Sequence, residues 1–342
     1  TLYEQSATFP ECATRDIHPS RLNRHALLRR SHRLALPLLA GDVDRIRIDA
    51  DAVIVSSSGW AHGMSTDGRK IVYCHAPARW LYQTDRYAGG ASRAGGGITD
   101  TIRKGMTRSA VQVLGSRLRR WDAAAAASAD RYLVNSTVIQ RAVRDIYGIE
   151  AEVLPPPPAL VPIGTEQRVD GIEPGYLLVV ARLLPYKNVD LVIEAVAGQG
   201  GARPVIVGTG PDRPRLAGLA RGVPRTLLLG SGTGPQLRPL ARDAPALAAR
   251  GGEASRLAPL EAASFGRPTV ALRDGGFLDT IDEGATGVFF DSPDVEPIAR
   301  AIDELRQTEW DDKLIAAHAD TFGVAGFTAR LRAVVDEELH RA

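Results

Sequence analysis

Residues 176–188, Tyr-Leu-Leu-Val-Val-Ala-Arg-Leu-Leu-Pro-Tyr-Lys-Asn, pass from an unbroken apolar run into a short basic turn and reach a residue suited to cap a helix. An apolar run without polar alternation predicts a strand buried on both faces, Tyr176–Ala181. Asn188 then predicts the N-cap of an amphipathic helix reaching Ala197. The pattern continues outward. Strands are expected at Pro204–Val207, Thr226–Leu229 and Thr269–Leu272, and helices near Pro214–Ala220, Gln236–Arg242, Leu260–Phe265 and Leu278–Asp282. Strand and helix in alternation imply an α/β fold with a parallel sheet covered on both faces, whose ligands bind at the carboxyl ends of the strands.

Toward the N-terminus the same signal is weaker. Short β-branched runs, Ala52–Ser56 and Arg69–Tyr73, precede turn residues, and Tyr132–Asn135 leads through Ser136 into a helical stretch ending at Tyr147. Residues 153–175 hold five prolines before Gly164 and a further Pro-Gly at 174–175, the composition of an interdomain linker. The chain has 342 residues, a length that fits two domains. The expected division is 1–160, 161–310 and a C-terminal helical segment 311–342 crossing back toward the first domain. Gly-rich stretches around 89–97 and 198–201 read as surface loops, and the alanine run 123–127 as strong helix former.

Composition narrows the class. With 44% hydrophobic and 24% charged residues, disorder, a collagen repeat and a disulfide scaffold are excluded. Cys12 and Cys74 are the two cysteines, giving neither a disulfide framework nor metal-ligand spacing, and the default compartment is a reducing cytoplasm. The best apolar run, Leu34 to Ala40, contains Pro37 and is far too short to cross a bilayer. The sequence opens at Thr1 with no charged-then-apolar leader, so no secretory signal is expected, and the N-terminal sheet is expected to be incomplete.

Net charge is +2, but it divides unevenly. Residues 1–160 hold 22 Lys/Arg against 15 Asp/Glu, and the remainder 20 against 25. The basic first half points to an anionic partner. Arg21 to Leu36 mixes cations with leucines at near-helical spacing, and Arg117, Arg119 and Arg120 form a second cluster, a pattern suited to docking on an anionic membrane face. The alternative is a solvated helix face. Nucleic acid is disfavoured, since aromatics do not interleave with the basic runs.

Four segments carry candidate chemistry. Arg182 and Lys187 place two cations after a strand and before a helix, where they would bind a diphosphate and stabilise it as a leaving group; the alternative is a solvated basic turn. Glu253 and Glu261, seven residues between them, would accept hydrogen bonds from the vicinal hydroxyls of a sugar and a ribose, Glu261 opening a helix; the alternative is two surface glutamates. Asp274-Gly275-Gly276-Phe277 either brings backbone N–H groups to a ligand or makes a tight turn. His75, in Val72-Tyr-Cys-His-Ala-Pro77, directly follows a strand; a lone histidine in such a place is either catalytic or structural. Gly208-Thr-Gly210-Pro211 carries Arg213 where a dinucleotide fingerprint needs its third glycine, so a nicotinamide or flavin site is rejected. No metal site is expected.

Together these stretches resemble the family 4 retaining glycosyltransferases, which have the GT-B fold of two Rossmann-like domains facing a cleft, and within them a mannosyltransferase-like branch of polysaccharide and O-antigen assembly. The matching segments are Tyr73–Arg79, Asn135-Ser136, Ala181–Lys187, Val207–Pro211, Glu253 to Glu261, Gly266–Val270, Gly275-Gly276 and Thr286-Gly287. The resemblance implies that Arg182 and Lys187 hold the donor diphosphate, Glu253 the donor sugar and Glu261 the ribose. His75 and Glu253 would be the catalytic residues, and the backbone of Ser255, Arg256, Leu257, Gly275 and Gly276 would lie near the donor. It implies transfer with retention from a nucleoside-diphosphate sugar, GDP-mannose by branch, to a glycan or lipid-linked acceptor, without cofactor or metal, on the cytoplasmic side with peripheral membrane contact. Two departures bear on activity. Ala254-Ser255-Arg256 stands where the family has Phe-Gly after the first glutamate, and no glycine-rich loop precedes the first strand. A non-catalytic nucleotide-sugar-binding paralogue and a sugar epimerase of the same fold are the alternatives.

Overall fold

The computed structural model describes residues 17–30, 32–83, 115–197, 203–223, 225–249 and 257–341. The chain divides into two compact units, Thr1–Leu154 with Leu331–Ala342, and Pro155–Arg330. In the first, β1 (Arg47–Ile48) pairs β3 (Ser65–Thr66), and a parallel sheet runs in the order β2 (Ala52–Ser57), β4 (Arg69–Cys74), β5 (Arg131–Val134), β6 (Glu152–Val153). The helix Thr137–Tyr147 is capped by the Ser136 hydroxyl, which accepts from Ile139 N–H at 3.3 Å, and is ended by Gly148 in the left-handed region at φ 67°. Its buried Ile139 and Val143 pack with Val55, Val72, Val134 and the indoles of Trp60 and Trp80.

The second unit is a six-stranded parallel sheet in the order β12-β11-β10-β7-β8-β9. Its strands are β7 (Leu177–Val180), β8 (Pro204–Val207), β9 (Leu227–Leu229), β10 (Ala246–Ala249), β11 (Thr269–Leu272) and β12 (Gly287–Phe290). The chain steps outward from β7 to β9, returns to β10 beside β7, and steps outward the other way. Right-handed crossovers taken in opposite directions put their helices on opposite faces. Accordingly Val192, Ile193 and Leu216 from the helices Val189–Ala197 and Arg213–Ala220 pack with Leu177, Val179, Ile206 and Ala248 on one face. Leu240, Ala258 and Ala262 from the helices Gly234–Asp243 and Leu257–Ser264 pack with Leu178, Val205, Leu247 and Ala271 on the other. Successive residues of each strand thus enter different cores, which is why the runs read as continuously apolar.

The structure corrects several expectations. Asn188 directly precedes the helix, which starts at Val189, and its carbonyl accepts from Leu191 N–H at 3.2 Å, but it also closes a 3-10 turn, Pro185–Lys187, in the left-handed region at φ 49°. The helix expected at Leu278–Asp282 is a 3-10 turn, Gly275–Asp279. The Pro-rich stretch begins where the first unit gives way to the second and then runs as a strap on the second unit. Arg238 donates to the carbonyls of Val161 and Thr165, Gln167 N–H donates to Pro235 O, and Arg242 pairs with Glu166. The C-terminal segment contains the helices Asp312–Asp320 and Val324–Leu339, and the second passes from the second unit into the first. No helix among the described residues is long and apolar enough to cross a membrane. The expected loops at 89–97 and 198–201, Cys12, and the side chains from Arg29 to Pro37 lie outside the described residues.

Candidate functional site

The point between β7 and β10, where the strand order reverses, is where an open α/β sheet leaves a crevice at its carboxyl end. The connection leaving β7 is residues 181–188, which carry Arg182 and Lys187. The one leaving β10 is residues 250–256, followed by the helix Leu257–Ser264. The one leaving β11 reaches Gly275 and Gly276. Sheet order therefore puts the turn 181–188, the helix Leu257–Ser264 and the turn Gly275–Asp279 after three adjacent strands, β7, β10 and β11. Glu253, Ser255 and Arg256 lie outside the described residues.

Lys187 is only 2% exposed. It lines a small cavity with Val179, Ala181, Val192, Ala248 and Ala249, at the ends of β7 and β10, and its Nζ lies 5.5 Å from the centroid of the Tyr186 ring. Lys187 thus stands at the carboxyl ends of β7 and β10, where an open α/β sheet takes its ligand. Arg182, in the same turn, is exposed. The turn thus carries one buried cation and one exposed cation.

The turn bearing these cations is fastened to its neighbour. Ala181 N–H donates to Val207 O at 3.1 Å, Leu183 N–H to Thr209 O at 2.9 Å, and Asp212 N–H to Leu183 O at 3.1 Å. A Cβ on Gly208 would lie 1.8 Å from Ala181 O, and one on Gly210 2.1 Å from Leu183 O. These glycines permit backbone-to-backbone contact, which is their use here in place of a dinucleotide fingerprint. Arg215 extends the lock by pairing with Asp190 at 2.9 Å and Asp212 at 2.7 Å.

Glu261 does not open its helix; it is the fifth residue of Leu257–Ser264. Its carboxylate accepts from Leu160 N–H at 3.3 Å. Burial holds its carboxyl above the usual range, and the N–H groups of Leu160 and Ala159 oppose that shift. The side chain therefore joins the Pro-rich strap to the site, a link that local sequence does not signal. Leu257 is the first residue of the same helix and half-buried. Gly275 sits at φ 67° with open space where a Cβ would stand, and Gly276 is buried. Arg273, two residues earlier, binds Asp291 at 2.7 Å and Glu283, fixing the start of that turn.

In the first unit, His75 follows β4. Its N–H donates to Ser57 O at 2.8 Å, continuing the β2–β4 ladder one residue beyond the strand. Its Nε2 is 2.8 Å from Ser56 Oγ, and the Tyr73 ring stands edge-on at 5.1 Å. On the opposite side of the strand lies a buried polar network that sequence reading missed. Ser57 Oγ is 3.0 Å from His62 Nδ1, Tyr147 OH donates to Asp122 at 2.8 Å, and His62 Nε2 approaches Asp122 at 3.0 Å, an ion-pair distance without hydrogen-bond alignment. Beside it, burial and the Asp122 charge push the Cys74 thiol up to about 12, so Cys74 is inert. Among the described residues no group of three or more His, Cys, Asp or Glu could hold a metal.

Residues 166–318 match the family described as Glycosyl transferases group 1. Glycogen synthase of Xanthomonas oryzae pv. oryzae (strain PXO99A) is 32% identical over 136 residues, 38% of this chain and 27% of that enzyme. Glycogen synthase of Xanthomonas axonopodis pv. citri is 31% identical over the same length, 29% of that enzyme. The match therefore spans under a third of these curated relatives. Sucrose-phosphate synthase from Thermosynechococcus elongatus superposes with a TM-score of 0.65 at 14% identity, covering 92% of this chain and 80% of that one. Anabaena Alr3699/HepE, solved with UDP-glucose, gives 0.53 at 14% identity, covering 89% and 94%. The chain has the GT-B fold of these glycosyltransferases, and its second unit carries the group 1 glycosyltransferase match.

Proposed function

We propose that the protein is a retaining glycosyltransferase that moves a hexosyl group from a nucleoside-diphosphate sugar to a glycan or lipid-linked acceptor. The observation that carries this reading is Lys187, buried at the reversal of strand order with Arg182 in the same turn, inside the segment that matches glycosyl transferases group 1. Two cations at that point neutralise a departing diphosphate without a divalent metal. The acceptor oxygen bonds to the anomeric carbon on the face the diphosphate leaves, the bond from that carbon to the phosphate oxygen breaks, and the acceptor's proton passes to the departing phosphate. Glu253 grips the sugar hydroxyls, Glu261 the ribose, and the backbone of Ser255, Arg256, Leu257, Gly275 and Gly276 borders the donor. His75 is assigned to the transfer step itself.

The resemblance names GDP-mannose, whereas the glycogen synthases and the UDP-glucose complex favour a glucosyl donor. A panel of nucleotide sugars, read as hydrolysis and transfer by the purified protein, decides between them. Calorimetry tests the site itself. Lys187→Ala should weaken binding of UDP or GDP about 10- to 100-fold, the worth of charge-assisted contacts to a phosphate. Unchanged affinity for both nucleotides would overturn the assignment. Membrane contact through the basic first half is part of the same proposal, and sedimentation with vesicles that is indifferent to anionic lipid would remove it.

A further inference from the structure

The helix Asp312–Asp320 meets two of the segments assigned to the donor. It is docked on the first, the helix Leu257–Ser264 that carries Glu261, through backbone and core. Gly266, two residues beyond that helix, lies at φ 71°, and a Cβ there would stand 2.7 Å from Asp312 O. Arg267 pairs with Asp312 at 3.1 Å, and Ile315 and Ala319 are buried with Ala263. The Asp311 carboxylate caps the helix, accepting from the N–H groups of Lys313 at 2.9 Å and Leu314 at 3.1 Å. From this frame His318 reaches the second segment. Its Nε2 lies 3.0 Å from the carbonyl oxygen of Thr280, the residue that ends the turn Gly275–Asp279.

We propose that His318 is a positioning residue for the donor site, holding the turn that carries Gly275 and Gly276 in register with the helix that carries Glu261. This rests on the reading of that turn given under the proposed function. A carbonyl only accepts, so Nε2 carries the hydrogen of this bond. Thr280 passes the restraint into the turn: its Oγ1 donates to Gly276 O at 3.2 Å, and its N–H donates to Phe277 O at 3.2 Å. Adjacent glycines restrict their own backbone less than other residues do, so a turn built on them takes its shape from what holds its ends. The entry is held by Arg273, which binds Glu283 and Asp291 and lies over the Phe289 ring at 4.8 Å from its centroid. Those partners flank or belong to β12, the strand next to β11, and so fix the turn to its own edge of the sheet. His318 adds a restraint at the exit from a different element. Because its helix is docked on Leu257–Ser264, the bond fixes the glycine turn relative to Glu261 as well.

The test uses His318→Ala and His318→Gln in the full chain, with UDP-glucose and GDP-mannose as probes. Glutamine keeps an N–H donor on a side chain of similar reach. In the parent, at least one probe should move the backbone amide resonances of Gly275 and Gly276. His318→Ala should raise the dissociation constant of that probe about tenfold, the ratio carried by one hydrogen bond. It should also speed hydrogen exchange at the Thr280 and Ile281 amides about tenfold while exchange in β7 stays parental, and His318→Gln should recover most of both losses. Glycine amides that respond to a probe, together with parental affinity in His318→Ala, overturn the role of His318 and leave the turn's place beside the donor standing. Glycine amides that respond to neither probe overturn the reading of the turn and the proposal with it. Should His318→Ala fail to fold, the parent's imidazole decides: a hydrogen-bearing Nε2 in the ¹⁵N spectrum of the neutral ring supports the bond, and a bare Nε2 refutes it.

Discussion

Replacing Gly210 by alanine tests whether the packing of two backbone turns sets the position of the candidate phosphate cations. The added Cβ would lie 2.1 Å from Leu183 O, 2.6 Å from Leu183 C and 2.9 Å from Leu183 Cα. All three are backbone atoms, so no rotamer change relieves the contact. Leu183 is fully buried, and its carbonyl accepts from Asp212 N–H, so retreat breaks a bond as well as packing. Relief requires the turn 181–187 to shift by about 1 Å, a displacement that costs roughly 100-fold where groups must be placed for chemistry. Overpacking of this kind lowers stability by about 1–3 kcal/mol. The expected outcome is a urea midpoint lowered accordingly and UDP or GDP affinity reduced about 10- to 100-fold by calorimetry, at temperatures where the variant is fully folded. Gly230→Ala is the control: a Cβ there meets nothing within 4 Å, and its effect should stay within about 0.5 kcal/mol. Parental stability and nucleotide affinity in Gly210→Ala would refute the claim that Gly210 holds the cationic turn in place.

The carboxyl of Glu261 is raised by burial, so the folded protein binds its proton more tightly than the unfolded chain, and this group's contribution to stability falls as pH rises from 4.5 toward the raised value. Glu261→Gln should flatten that fall in chemical denaturation curves across pH 4–7, and an unchanged slope would refute the linkage. The same ionisation should strengthen nucleotide binding as pH rises, since a ribose hydroxyl donates best to the charged carboxylate, and the Gln variant should lose that dependence. Asp122→Ala strips the partner from His62 and from Tyr147 OH in a fully buried setting and should cost about 3–5 kcal/mol, read as a lowered urea midpoint. A loss below about 1 kcal/mol would show that the network is not a stabilising one.

Much of the second unit was legible because its strands are buried on both faces. Leu177–Val180 and Thr269–Leu272 are apolar without interruption, and that pattern survives any detail of packing. The strand that matters most for the site was not legible. Ala246-Leu-Ala-Ala has the composition of a helix, yet it is a central strand, paired by β7 on one edge and β11 on the other, and its side chains enter both cores. Asn188 stands directly before its helix, as its residue type suggests, but its left-handed backbone was set by the 3-10 turn before it, a conformation asparagine tolerates. The Pro-rich stretch carried the composition of a linker, and only the partners offered by Arg238, Arg242 and Glu261 turned it into a strap.

Sequence by itself determined the alternation of strand and helix, the cations at 182 and 187, and the paired glutamates at 253 and 261, because period, charge and spacing are local properties of a chain. Tertiary structure decided which of those groups are buried and what they touch. It sealed Lys187 at the meeting of β7 and β10, gave Glu261 the amide hydrogens of the strap, and set Ser56 against His75. Each of these depends on segments distant in the chain becoming neighbours, and desolvation and hydrogen-bond partners exist only once they have done so.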